Sequence, residues 1–201
     1  MKEEGSEISQ LEKTMAVRKK PAQVQTPRFV ADVKKMRARA RRHMQSGAVT
    51  ESYRADRAQV IKVLNDVLAT EIVCILRYKS HFYFSKGLDA EPARAEFLEH
   101  AGEEQQHADW VAERITQLGG EPNFDPQGLP ERSHSEYGRH TNLVTMIQED
   151  LVAERVAIES YSEIVRWLGN DDTTTRRIME DILKTEEQHA DDMANLLAKV
   201  G

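Results

Sequence analysis

The chain has 201 residues and a net charge of −6, with 31% charged and only 6% aromatic residues. This balance suits helices better than sheets, and the length allows one well-buried domain plus a tail. A single cysteine, Cys74, excludes an intramolecular disulfide, a CxxC redox pair and a cysteine-based zinc or iron–sulfur site.

The charge is unevenly placed. Residues 1–56 carry 13 Lys and Arg against 7 Asp and Glu, whereas residues 57–201 carry 15 against 27. The first stretch, MKEEGSEISQLEK, lacks the apolar core of a signal peptide, and no run of 18 apolar residues occurs. A soluble cytoplasmic protein is therefore expected. Residues 1–54 read as a flexible basic arm: Pro21, Pro27 and many small polar residues leave little apolar surface to offset ordering entropy. Between Lys13 and Arg42, eleven Lys and Arg face one acid, Asp32. Such a segment suits non-specific binding to the DNA backbone through residues 13–42. A solvated tail, or one docked on an acidic neighbouring subunit, explains it equally. No base-reading motif or interleaved aromatic residue accompanies it.

From Ala55 the apolar spacing becomes helical, through Val60, Ile61, Leu64, Leu68, Ile72, Ile75 and Phe82. Gly87, Asp89 and Pro92 punctuate its end. A second helix is expected from about Ala90 to Leu118, stopped by Gly119-Gly120. Residues 119–139 then hold four glycines and three prolines without helical pattern, long for a connection in a compact domain unless it crosses the length of a bundle. A third helix is expected over about Thr141 to Leu168. Gly169-Asn170 closes it, and Asp171 or Asp172 can cap a fourth that carries Ile178, Ile182, Leu183, Met193, Leu196 and Leu197. The expected fold is all-α over residues 55–201: four helices with a long crossover between the second and third, and no fifth helix.

Two stretches match, Glu104-Gln-Gln-His107 and Glu186-Glu-Gln-His189. On a helix, residues three apart leave the same face, so each stretch offers a carboxylate and an imidazole together. Each is preceded by a lone glutamate inside an apolar stripe: Glu71 lies 33 residues before Glu104, and Glu154 lies 32 before Glu186. The halves repeat, since Glu71 and Glu154 are 83 apart, as are Tyr78 and Tyr161, and His107 and His189 are 82 apart. One buried glutamate is often just paired with an arginine. Four of them, two with His at +3, form the ligand pattern of di-iron and di-manganese carboxylate bundles. Four carboxylates balance two divalent ions, and oxygen-rich ligands with one imidazole per ion suit iron or manganese. Bridging carboxylates from the first and third helices, or from the second and fourth, would set a two-metal spacing, with each His terminal on one ion. Asp150, one turn before Glu154, is a candidate to orient a ligand histidine, or else a surface-facing acid near the helix start. Tyr78, two turns beyond Glu71, either bonds a ligand, supplies an electron or packs in the core. Trp110 reads as packing, and His81, His100, His134 and His140 receive no role.

Residues 57–199 resemble the bacterioferritin branch of the ferritin-like superfamily, on Leu-Asn-Asp-Val-Leu-Ala-Thr-Glu71 with Tyr78, on Leu-Val-Ala-Glu154 and on the two Glu-x-x-His stretches. The resemblance implies a ferroxidase centre of Glu71, Glu104, His107, Glu154, Glu186 and His189, oxidising Fe(II) with O₂ or H₂O₂ and storing the ferric product in a shell. Members of that branch bind haem through a methionine directly after the first motif glutamate; Gln105 stands there, so haem is not expected. The absence of a fifth helix, together with a basic arm, resembles instead the Dps-like ferritin subgroup, which implies a dodecamer rather than a 24-subunit cage. A rubrerythrin-like peroxidase, a di-manganese catalase and a DNA-coating protection protein are the competing readings.

Overall fold

The computed structural model describes residues 31–200, with the side chain of Val200 excepted. Residues 1–30, and with them residues 13–30 of the basic segment 13–42, lie outside the described residues. Residues 38–201 make up one compact unit. The helices are α1 (Val33–Ala40), α2 (Arg57–Phe84), α3 (Glu91–Gln117), α4 (Leu129–Arg132), α5 (Leu143–Leu168) and α6 (Thr173–Val200). No helix among the described residues is long and apolar enough to cross a membrane.

Local chemistry sets the ends of the long helices. Asp56 caps α2 by accepting from the Ala58 and Gln59 amides at 3.1 and 3.2 Å, and Asn142 caps α5 through Thr145 at 3.1 Å. Of the two candidates before α6, Asp172 is the cap, taking the Thr175 amide at 2.9 Å. Each satisfies a donor that the first helical turn leaves orphaned, a contribution of roughly 1 kcal/mol. Asp171 instead pairs with Arg54 at the surface. Pro92 sits in the first turn of α3, where its missing N–H costs nothing. Gly169, at φ 49°, turns the chain out of α5 in a conformation that a side chain would strain.

Contacts at the helix ends give the connectivity. Ser85, just past α2, touches Met146 in the first turn of α5, and Arg114, near the end of α3, reaches Asp172 and Thr175 at the start of α6. The order is therefore up, down, crossover, down, up, as the long connection implied. That connection is better built than its sequence suggests. Asn65 accepts from the Asn123 amide at 2.7 Å, Thr70 from the His134 amide at 2.9 Å, and Arg77 donates to the Glu136 carbonyl at 3.0 Å. These bonds lash the crossover along α2 and hold the one-turn helix α4, which residues 119–139 did not reveal. Its Leu129 packs on Ala69 and Val73.

The apolar core falls into two parts. One gathers Leu64, Leu68, Val111, Ile115, Leu168, Met179 and Ile182; the other gathers Tyr78, Phe97, Ala101, Met146, Ile147, Met193 and Leu196. Full burial of one such large side chain stabilises by about 1.5–3 kcal/mol. Between the two parts, at mid-length on all four long helices, lie Glu71, Glu104, His107, Glu154, Glu186 and His189. All six are buried. The hydrophobic layers on either side fix the helix register and so fix the height of each polar residue.

Tyr53 extends the structured part upstream of α2. It packs on the core, and its hydroxyl donates to Asp172 at 2.8 Å. Within α1, Val33–Ala40, every residue is at least partly exposed and none is buried.

Candidate metal centre

The six ligand-type residues form two overlapping sets. Glu71, Glu104, His107 and Glu186 offer ligand atoms within 4.8 Å of one another, and so do Glu104, Glu154, Glu186 and His189. Glu104 and Glu186 belong to both sets. The shared pair is therefore carried by α3 and α6, while Glu71 on α2 and Glu154 on α5 each complete one set. His107 Nδ1 lies 3.4 Å from Glu71, 3.3 Å from Glu104 and 3.1 Å from Glu186. His189 Nδ1 lies 3.6, 3.9 and 3.3 Å from Glu104, Glu154 and Glu186.

Four carboxylates in a dry interior repel one another and lose hydration. Burial, followed by the charge of Glu104, pushes Glu71 up to about 8. Burial and the charges of Glu186 and Glu104 hold Glu154 well above the ordinary carboxylate value. On Glu104 and Glu186 burial acts in the same direction, but the adjacent imidazoles of His107 and His189 outweigh it and leave both below their ordinary values. Burial works against charge on the imidazoles too, yet the surrounding carboxylates raise both His107 and His189. Without metal, Glu71, Glu154 and both imidazoles of the cluster are thus biased toward their protonated forms.

Protons do not satisfy it. Oε2 of Glu71, Oε1 of Glu104, Oε2 of Glu154, both oxygens of Glu186 and Nδ1 of His189 are buried without a hydrogen-bond partner. Native interiors seldom leave such atoms unpaired. Six orphaned ligand-type atoms facing a common centre fit two divalent cations, and the set of oxygens with one nitrogen per ion fits iron or manganese.

The surroundings orient the ligands. Tyr78 donates its hydroxyl to Glu154, and Tyr161 donates to Glu71, each across the bundle between α2 and α5. His189 Nε2 meets Glu103 at 2.7 Å, which aims Nδ1 inward. His100, one turn before Glu104, stacks on His189 with ring centroids 3.8 Å apart, and burial holds it neutral, lowered to about 3. Trp110 lies against His107, centroids 5.7 Å apart.

Asp150 does not orient a ligand histidine. The turn between Asp150 and Glu154 lifts its carboxylate out of the ligand layer to the level of Arg77 and His81, which it meets at 2.9 and 2.8 Å. It is fully buried there. Gln105, directly after Glu104, donates along its own helix to Asp109 at 3.1 Å. Three contributors to the site had no assigned role in the sequence. Tyr161 was signalled by its 83-residue offset from Tyr78 and His100 by its one-turn spacing from Glu104; nothing sets Glu103 apart from other surface acids.

The profile described as a ferritin-like domain matches residues 61–200. The bacterioferritin of Desulfovibrio desulfuricans is 31% identical over 138 residues, covering 68% of this chain and 73% of that protein. Among solved structures, the dodecameric thioferritin described as the bacterioferritin-related protein from Bacteroides fragilis is 32% identical, with a TM-score of 0.70 over 73% of this chain and 89% of that one. The Desulfovibrio desulfuricans bacterioferritin structure, which shows its diiron site in different catalytic states, is 28% identical, with a TM-score of 0.64 over 72% and 81% of the two chains. With the bundle topology and the paired Glu-x-x-His stretches in place, the match over residues 61–200 shows that this chain belongs to the ferritin-like family.

Proposed function

We propose that the protein is a di-iron ferroxidase that oxidises Fe(II) with O₂ or H₂O₂ and thereby stores or detoxifies iron. The observation that carries this reading is the pair of four-ligand sets sharing Glu104 and Glu186. The diiron site of the Desulfovibrio desulfuricans bacterioferritin supports it. Two Fe(II) ions, the substrate, yield two electrons, the number that takes O₂ to H₂O₂ or H₂O₂ to water. Glu71 with His107, and Glu154 with His189, would hold one ion each, and the bridging carboxylates would fix their separation. Tyr78, Tyr161 and Glu103 keep those ligands in register as charge changes, and the apolar layers above and below exclude bulk water from the reacting pair. Manganese fits the same donors and is distinguished by metal analysis of the purified protein.

Stopped-flow oxidation of Fe(II) tests the reading. The Glu104→Ala, His189→Ala double variant is expected to lose the rapid phase; unchanged kinetics would remove the claim.

A homo-oligomeric cage, most simply a dodecamer, belongs to the same reading. Leu76, Tyr83 and Phe84 on α2, with Val152 and Val156 on α5, are exposed in the single chain and suit burial against other copies. The dodecameric Bacteroides fragilis protein supports that number. Sedimentation of the purified protein checks it.

A second reading concerns the arm. The exposed helix α1 and the residues just after it carry Lys34, Lys35, Arg39 and Arg42, which favours non-specific contact with DNA phosphates. Retardation of duplex DNA that weakens steeply with salt and disappears on deletion of residues 1–50 is the expected outcome. Retardation that survives the deletion would exclude the arm.

A further inference from the structure

Beyond the central cluster, the described residues hold one further group of ligand-type side chains around a common point. Glu96 and His100 on α3 and Asp192 on α6 offer ligand atoms within 4.8 Å of one another. The His100 side chain is 2% exposed, while Glu96 and Asp192 are 35% and 29% exposed, so the group runs from the interior to the surface.

Geometry orients the histidine. His100 Nδ1 meets the Tyr78 hydroxyl at 3.2 Å, which leaves the other ring nitrogen, Nε2, facing Glu96 Oε2 at 3.7 Å and Asp192 Oδ2 at 3.8 Å. Three ligand-type atoms converge, one of them on a deeply buried side chain, at separations too long for hydrogen bonds. Ligand atoms held at roughly 2.1 Å from one ion lie about 3–4 Å apart, which these distances match. Burial and the charge of Asp192 hold Glu96 above its ordinary value, with Lys199 acting in the opposite direction.

We propose that Glu96, His100 and Asp192 form a third cation site, beside the central pair, for a divalent first-row transition metal. One imidazole with two carboxylates suits Fe(II), Mn(II) or Zn(II), whereas calcium and magnesium favour all-oxygen shells. The site adjoins the centre through the His100–His189 stack and through Tyr78, which joins His100 to Glu154. Its half-exposed carboxylates make it a staging position for Fe(II) moving between surface and centre. That role rests on the ferroxidase reading; the binding site itself does not.

Zinc, which neither oxidises nor mineralises, is the probe. Crystals of the full chain equilibrated with Zn(II) are measured at the zinc edge for the wild type, for Glu104→Ala and for the Glu96→Gln, Asp192→Asn double variant. Zinc stoichiometry is measured in solution on the same three proteins. A peak among the three side chains is expected in the first two proteins, with that peak and one equivalent per chain lost in the third. No peak in the wild type overturns the proposal, as does an undiminished peak or an unchanged stoichiometry in the double variant. Loss of the central peaks alone in the wild type would refute the two-metal reading and leave this site standing.

Discussion

Tyr78 on α2 donates its hydroxyl to Glu154 on α5, so a residue two turns from Glu71 serves the matching glutamate of the opposite half. Tyr161 returns the contact to Glu71. The pseudo-symmetry of the sequence is thus a cross-brace, in which each half positions the carboxylate of the other. Replacing Tyr78 with Phe keeps the packing and removes the donor. Loss of such an outer partner typically costs about 10–100-fold in metal affinity. Titration with Co(II) is expected to show one of the two central ions weakened by that order, with the other little changed.

The metal-free protein should grow less stable as pH rises from mid-acid to alkaline. Glu71 is raised from 4.5 to about 8, so its contribution is full below 4.5 and is lost as pH climbs through 8. His107 and His189 are raised above 6.5, so theirs is full below 6.5 and lost at still higher pH. Glu104 and Glu186 are lowered, and their contribution is lost as pH falls below 4.5. Urea midpoints in the presence of chelator, compared at about pH 5, 7 and 9, check the falling trend. A midpoint that rises across that range would contradict it.

Metal should reverse this trend, because cations compete with the same protons. Binding at 100 times the dissociation constant stabilises by about 2.7 kcal/mol per independent site. Melting in the presence of Mn(II) under argon is expected to move upward, more at about pH 7.5 than at pH 5.5, with protons released to a weak buffer as metal is added.

Asp150 has a structural task. Its carboxylate holds Arg77 and His81 in the dry space above the ligand layer. Asp150→Ala would leave a buried guanidinium without its counter-charge, a loss of about 3–5 kcal/mol. Denaturant unfolding measures this. A loss below about 1 kcal/mol would mean the pair is not buried as described.

The ligand layer was legible because its residues sit at fixed offsets on long amphipathic helices, where a spacing of three or four is already a statement about one face. Glu71 and Glu154 were recognisable as intruders in apolar stripes, and the repeat offset linked them to the two Glu-x-x-His stretches. What was not legible depends on contacts between helices. Asp150 has the same spacing to Glu154 that a supporting residue would have, yet the partner that decides its role is Arg77 on another helix. His100 is one turn from Glu104, but the way its ring is turned follows from its contact with Tyr78 on another helix. The crossover looked structureless because α4 is held by bonds from Asn65, Thr70 and Arg77, whose side chains carry no periodic signal of such a role.

X-ray absorption of the protein loaded anaerobically with Fe(II) tests the central claim most directly. Two ions bridged by Glu104 and Glu186 predict iron–iron scattering at roughly 3.5–4 Å, lost in Glu104→Ala. Iron bound with no iron–iron vector at that distance, or with the same vector in Glu104→Ala, would contradict it.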